Sequence, residues 1–144
     1  MESAVAIEVV LGDLAIIAES QGDIVPLVYQ RFFAVSEDGQ ALMSHSDVHM
    51  QGRMFEQVLE LLFTDDHFGP GSYLEWELEN HLNAYGATSN MYQSFLDAVV
   101  AVAQSCLGDR WQTTNAEAWQ QRVDRILTEV SVYEASNAGQ SASM

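Results

Sequence analysis

Apolar residues recur at helical spacings from near the start of this chain to about position 133. No segment alternates with a period of two for long enough to predict a strand. A first helix is predicted from about Ala4 to Glu19, ended by Gln21 and Gly22. Asp23 then reads as a helix cap, and Pro26 stands early in a second helix, where its missing N–H costs nothing. That helix carries Leu27, Val28, Tyr29, Phe32 and Phe33. The run Ser36, Glu37, Asp38, Gly39 interrupts the pattern and leads to a short turn holding Leu42 and Met43.

A long helix is predicted from about Asp47 to Phe63, with Gln51, Phe55, Val58 and Leu62 on one face, so a polar glutamine lies in line with an apolar stripe. The stretch from Thr64 through Gly71 reads as loop. The next helix is expected from about Ser72 to Asn83, with Leu74, Leu78, His81, Leu82 and Tyr85 on one side and Gly86 closing it. Another follows from Asn90 to Leu107, buried along Phe95, Val99, Val102 and Cys106. Gly108 to Trp111 turns the chain into a last helix, about Asn115 to Tyr133, with Trp119, Val123, Ile126, Val130 and Tyr133 at heptad-like spacing. The pattern predicts one all-α domain over residues 1–134 and a small, polar, disordered tail over 135–144.

Composition narrows the partners. The chain has 144 residues, 48% of them apolar, which is enough for a single core. Five arginines and no lysine stand against 21 acidic residues, for a net charge of −16. A nucleic-acid binder needs a basic stripe to displace counterions, and five scattered arginines do not form one. An anionic membrane surface would repel the chain. The early apolar run is broken by Glu8 and Asp13 and follows no basic residue, unlike a secretory signal. No stretch has the length and apolarity of a membrane span, so a cytoplasmic protein is the expectation. One cysteine, Cys106, allows neither a disulfide framework nor a cysteine zinc cage.

Generic active-site patterns are missing. There is no glycine-rich phosphate loop, no Gly-x-Ser-x-Gly elbow and no calcium loop. His45 and His49 are four apart, but they fall where a turn meets a helix start and read as solvated. The carboxylates read mostly as charged surface. More informative are His81 and Gln51, each on the apolar side of its helix, and Tyr29 on a third helix. An imidazole on an apolar wall suits axial binding of iron. A phenol and an amide opposite could hydrogen-bond a gas held there.

At this point the chain resembles a globin, of the bacterial single-domain and flavohaemoglobin-like kind, over about Leu11 to Val132. The stretch Pro26, Leu27, Val28, Tyr29, Gln30, Arg31, Phe32, Phe33, Ala34 resembles the second globin helix, with Tyr29 at the distal tyrosine position. The run Gln51, Gly52, Arg53, Met54, Phe55 resembles part of the distal helix, with Gln51 as the distal glutamine. Tyr85 and Gly86, followed by Met91 and Tyr92, resemble the corner after the proximal helix. Leu107 to Trp111, then Ala118 and Trp119, resemble the junction of the last two helices.

The resemblance implies six to eight helices around a haem b pocket, with His81 as the iron ligand. Tyr29 and Gln51 would be distal, and Phe55, Leu62, Leu78, Leu82, Tyr85 and Phe95 would lie about the haem. Met43 occupies the corner position where globins place a phenylalanine against the haem, and a methionine fills that space less rigidly. The register beyond the proximal helix leaves two alignments. Anchoring on Tyr85 and Gly86 puts Leu82 at the ligand position, whereas His81 requires one extra residue in the corner. Corners absorb insertions more readily than helices do, which favours His81. Arg53 and Arg122 bear on the haem propionates, Arg53 being the nearer to Gln51 in sequence.

Three functions follow. The first is reversible binding of oxygen, nitric oxide or carbon monoxide at a histidine-ligated haem iron. The second is nitric oxide dioxygenation, which with no flavin or nicotinamide domain expected beyond the last helix requires a separate reductase. The third is a haem-free sensor or interaction module with a globin-like fold. The acidic surface would be complemented by a basic patch on any such reductase or signalling partner.

Overall fold

The computed structural model describes residues 1–65, 68, 74 and 88–142, with side chains as far as residue 135. All the regular structure among the described residues is helical. In chain order they form α1 (Ser3–Gln21), α2 (Val25–Val35), α3 (Glu37–Leu42), α4 (Val48–Phe63), α5 (Ser89–Leu107) and α6 (Thr113–Ala142), with a 3-10 turn at Gly108–Arg110 between the last two. Leu74, in the segment between α4 and α5, is helical and buried. Among the described residues no helix is long and apolar enough to cross a membrane.

Local chemistry explains the breaks. Gly22 ends α1 at φ 72° and ψ −130°, a conformation open to glycine and strained for other residues, and its N–H returns to the Ala18 carbonyl. Pro26 stands in the first turn of α2 as the sequence predicts, but the cap position falls to Ile24; Asp23, one residue earlier, still accepts the Val25 N–H at 3.0 Å. Gly108 repeats the device at φ 55°, donating to Gln104.

One expected break is a helix start instead. Ser36 ends α2 and caps α3, its hydroxyl accepting the Gly39 N–H at 3.0 Å, and Glu37 and Asp38 stand in the first turn where the helix dipole favours them. A side chain at Gly39 would collide with the Phe32 ring, so glycine is what lets α3 lie against α2.

The last helix also exceeds its predicted span, continuing beyond Tyr133 to Ala142 through the tail expected to be disordered. Part of the reason is a tertiary contact: Glu134 accepts the Ser89 N–H at 2.9 Å, placing a carboxylate at the start of α5.

The core is drawn from every long helix. In α6 the buried line is Trp119, Val123, Ile126 and Val130, as the spacing predicts. In α5 the buried surface is wider than one stripe. Leu96, Ala98, Val99, Val102, Ala103 and Leu107 are all buried, because α5 packs against α1, α2 and α6 at once. In α1 the stripe is Ala6, Val10, Asp13 and Ile17, with a carboxylate in the middle.

Among the described residues two charged side chains, Asp13 and Arg122, sit inside this core. Asp13 accepts from the Trp119 indole at 2.9 Å and from the Asn115 amide at 2.9 and 2.8 Å, which pins α1 to α6. Asn115 turns its other atom to the Gln112 N–H and so also closes the start of α6.

Arg122 is 1% exposed and makes five hydrogen bonds: to the carbonyls of Leu62, Leu61 and Thr64, to Ser3 Oγ and to Asp65. It thereby takes up carbonyls that the end of α4 would leave without helical partners. Its guanidinium also lies 5.6 Å from the Phe68 ring centroid, with that of Arg125 at 4.6 Å.

Replacing Arg122 with Met should lower stability by about 3 kcal/mol, since it strips buried carbonyls of their donors. A smaller cost, about 2 kcal/mol, is expected for Asp13→Ala, which orphans the Trp119 indole N–H. Urea unfolding measures both; a midpoint within error of the native one would refute the role given to that residue. The Ser3 hydroxyl, and then Arg122, hold the Asp65 carboxyl below its ordinary value of 3.8. This contribution is present above that pH and is lost as the pH falls below it, so Asp65→Asn should flatten the acid limb of the stability curve.

Candidate functional site

Tyr29 stands at the meeting of α2, α4 and α5. The apolar face of α2 carries it inward beside Val28 and Phe32, leaving it 2% exposed. Its ring lies 5.7 Å from Phe33 and 5.2 Å, edge-on, from Phe95 of α5, which also meets Phe32 edge-on at 5.3 Å. Its O–H crosses to α4 and donates to the backbone carbonyl of Gln51 at 3.1 Å. Burial pushes the phenol well above its ordinary value of 10.0. Tyr29 therefore remains a neutral O–H donor across the physiological range, in an aromatic wall.

The start of α4 is shaped by polar contacts. Asp47 caps it by accepting the Met50 N–H at 2.8 Å. That bond, together with the nearby His49 and Arg53 charges, holds the Asp47 carboxyl below its usual value. Gln51 lies one turn in and is half-buried, with its Nε2 donating to Ser46 Oγ at 3.0 Å. Ser46 in turn donates to the Met43 carbonyl at 2.6 Å. Phe55, one turn beyond Gln51, is buried. Met43 is half-buried against the core at the corner between α3 and α4.

Of the residues singled out in the sequence, Tyr29 lies on α2, Gln51 and Phe55 on α4, Phe95 on α5 and Met43 at the α3–α4 corner; Tyr29 contacts both Phe95 and Gln51. The contact differs in kind from the expected one, because Tyr29 meets the glutamine's backbone while the amide turns to Ser46. Arg53 does not join them and lies exposed on α4. Arg122 lies at the opposite end of α4 and is fully engaged there, so its expected bearing on propionates is replaced by a structural role. Leu62 is buried, and its carbonyl is one of Arg122's acceptors. His81, Leu78, Leu82 and Tyr85 lie outside the described residues. His45 and His49 are exposed. Among the described residues no group of three histidine, cysteine or acidic side chains could hold a metal ion.

Ser46, Asp13 and Arg122 are the residues that spacing alone did not reveal. Ser46 had a usable signal, since it precedes an Asp cap by one position and Gln51 by five, which brackets the first turn of α4. Asp13 and Arg122 sit at core positions of the 3.6 period, where a polar residue needs partners from distant sequence.

Away from this site, α2 and α5 bound a surface groove that includes Leu27, Arg31 and Cys106. It opens on the side of α2 opposite Tyr29. Burial raises the Cys106 thiol above its ordinary value, which disfavours a reactive thiolate.

No protein-family model matches the chain, and no curated protein matches its sequence. Among solved structures it is similar to a protein of Pseudomonas aeruginosa PAO1 described as structurally highly homologous to a human hemoglobin. The two share 19% identity with a TM-score of 0.76, over 89% of this chain and 97% of the other. The fold is globin-like and all-α.

Tyr29→Phe should cost about 1 kcal/mol at neutral pH through the lost bond to Gln51. It should also change the alkaline limb. Above pH 10 the unfolded phenol ionises while the folded one keeps its proton, so native stability declines as pH rises through that region. The phenylalanine variant lacks this term and should lose stability less steeply there. Denaturant titrations at pH 8 to 11 measure it, and parallel slopes would contradict the buried-phenol assignment.

Proposed function

We propose that the chain is a haem-binding globin that takes a small diatomic ligand (oxygen, nitric oxide or carbon monoxide) at a histidine-ligated iron. The observation that carries this reading is a neutral tyrosine O–H buried in an aromatic wall between α2, α4 and α5, within a globin-like fold. The donor set suits the distal side of a haem: phenylalanine faces for the macrocycle and one uncharged donor.

In this reading His81 is the iron ligand, with Leu78, Leu82 and Tyr85 on its side. Tyr29, Met43, Gln51 and Phe55 form the opposite side, and Arg53 is the basic residue offered to a propionate. Haem b, when bound, would supply the iron at which the gas is held. Tyr29 then does the discriminating work. A polarised ligand such as oxygen accepts its O–H in a dry pocket, where such a bond is stronger than in water. To make it, the hydroxyl leaves the Gln51 carbonyl or shares its proton with it. Phe33, Phe55 and Phe95 exclude water from the same space. Nitric oxide dioxygenation is the enzymatic form of this reading and draws its electrons from a separate reductase.

A second reading is a haem-free or weakly haem-binding sensor or interaction module. The observation favouring it is that the Tyr29 hydroxyl and the Gln51 amide each already have a partner within the protein.

Haem reconstitution separates the two. A Soret band that survives desalting is expected, as is its loss in His81→Ala. Absence of the band from the native chain would reject the first reading, and an unchanged spectrum in His81→Ala would reject the ligand assignment. Tyr29→Phe should speed oxygen dissociation by roughly tenfold, the effect of one charge-assisted hydrogen bond. Stopped-flow displacement measures it, and an unchanged rate would show that Tyr29 does not face the ligand. Oxygen-dependent nitrate formation with a supplied reductase tests the enzymatic form.

A further inference from the structure

Ser46 is the residue before the Asp47 cap of α4, and Gln51 is the fourth residue of that helix. These are the two positions at which a helix start commonly joins a pair of apolar side chains across the cap. Here the pair is polar. Gln51 Nε2 donates to Ser46 Oγ at 3.0 Å, and the Ser46 hydroxyl donates to the Met43 carbonyl at 2.6 Å. The second bond orients the first. A serine hydroxyl has one proton, and with that proton on Met43 it can offer Gln51 only a lone pair. The amide must therefore present its nitrogen to Ser46. The result is a relay from the corner residue Met43, through Ser46, to the side chain of Gln51. The Gln51 backbone carbonyl meanwhile takes the Tyr29 O–H.

Resting on the gas-binding reading, we propose that Ser46 is a positioning residue that holds the Gln51 amide at the α3–α4 corner and leaves Tyr29 as the donor to the ligand. Glutamine has three rotatable side-chain bonds and no shape that confines it, so its direction is set by its partners. Ser46 and a ligand compete for the amide. With Ser46 bonded, the amide stays at the corner. Without that bond it is free to rotate toward the pocket and become a second donor. The same relay ties the position of Met43 to the choice, since a shift of the corner carries the Ser46 acceptor with it.

The test uses the full chain with Ser46→Ala, which removes the acceptor, and Ser46→Thr, which keeps a hydroxyl. The first readout needs no haem. In 15N-labelled protein the Gln51 side-chain amide, identified by its loss in Gln51→Leu, should exchange with solvent at least fivefold faster in Ser46→Ala and stay near native in Ser46→Thr. Unchanged exchange in Ser46→Ala overturns the proposal. The second readout is the infrared C–O stretch of the haem protein with carbon monoxide as probe. Ser46→Ala should add a band at lower frequency, from a new N–H donor, and Ser46→Ala/Gln51→Leu should lose it. A freed amide with no new band overturns the proposal, because the amide is then not competing for the ligand. A native chain with no Soret band overturns the gas-binding reading and the ligand half of this inference together, while amide exchange still decides whether Ser46 holds Gln51.

Discussion

The structure depends on one buried guanidinium. Arg122 directs all five of its N–H groups to acceptors in α1, at the end of α4 and just after it. An unpaired charge at such depth would be intolerable, and the backbone carbonyls that end α4 need donors if they are to stay dry. Each requirement answers the other. The consequence is positional: the C-terminal end of α4 cannot slide along α6 or lift from α1 without breaking several of these bonds at once.

The N-terminal end of α4 is held by different means. Asp47 caps the helix, the Ser46–Gln51 bond spans the cap, and Tyr29 reaches across from α2 to the Gln51 carbonyl. Between the two ends Phe55, Leu61 and Leu62 are buried. The helix that carries half of the candidate pocket is thus anchored by polar bonds at both ends and by apolar contacts in its middle. Directional bonds set its axial position, which hydrophobic burial alone would leave free. Asp13 does the same for the pair α1 and α6 through Trp119 and Asn115.

Charge and site are physically separate in this molecule. The net charge of −16 lies mostly on exposed carboxylates, whereas the Tyr29 wall is neutral and aromatic. Under the proposed gas-binding reading the ligand would carry no net charge, so surface acidity would neither draw it in nor repel it. Such acidity would steer a basic macromolecular partner instead, an effect that weakens with salt. The exposed Arg53 is one of few cations available at the surface, and its charge helps to hold the Asp47 cap ionised.

The chain by itself determined the five longer described helices (α1, α2, α4, α5 and α6), their order and the inward placement of Tyr29, Phe55, Trp119 and Val123, because a 3.6-residue period is a local property. It also marked the corner at Met43 and the glutamine on the apolar side of α4. Spacing could not show which atom of Gln51 would be used. The backbone carbonyl and the amide of one residue lead in different directions, and their partners, Tyr29 and Ser46, come from different elements. The run from Ser36 to Gly39 read as a break because of its glycine, whose role in the structure is to admit the Phe32 ring beside a helix that Ser36 caps. Only the tertiary structure decided that Asp13 and Arg122 belong inside. A charged residue is buried when several acceptors or donors converge on it, and those that converge on Arg122 lie 57 to 119 residues away along the chain.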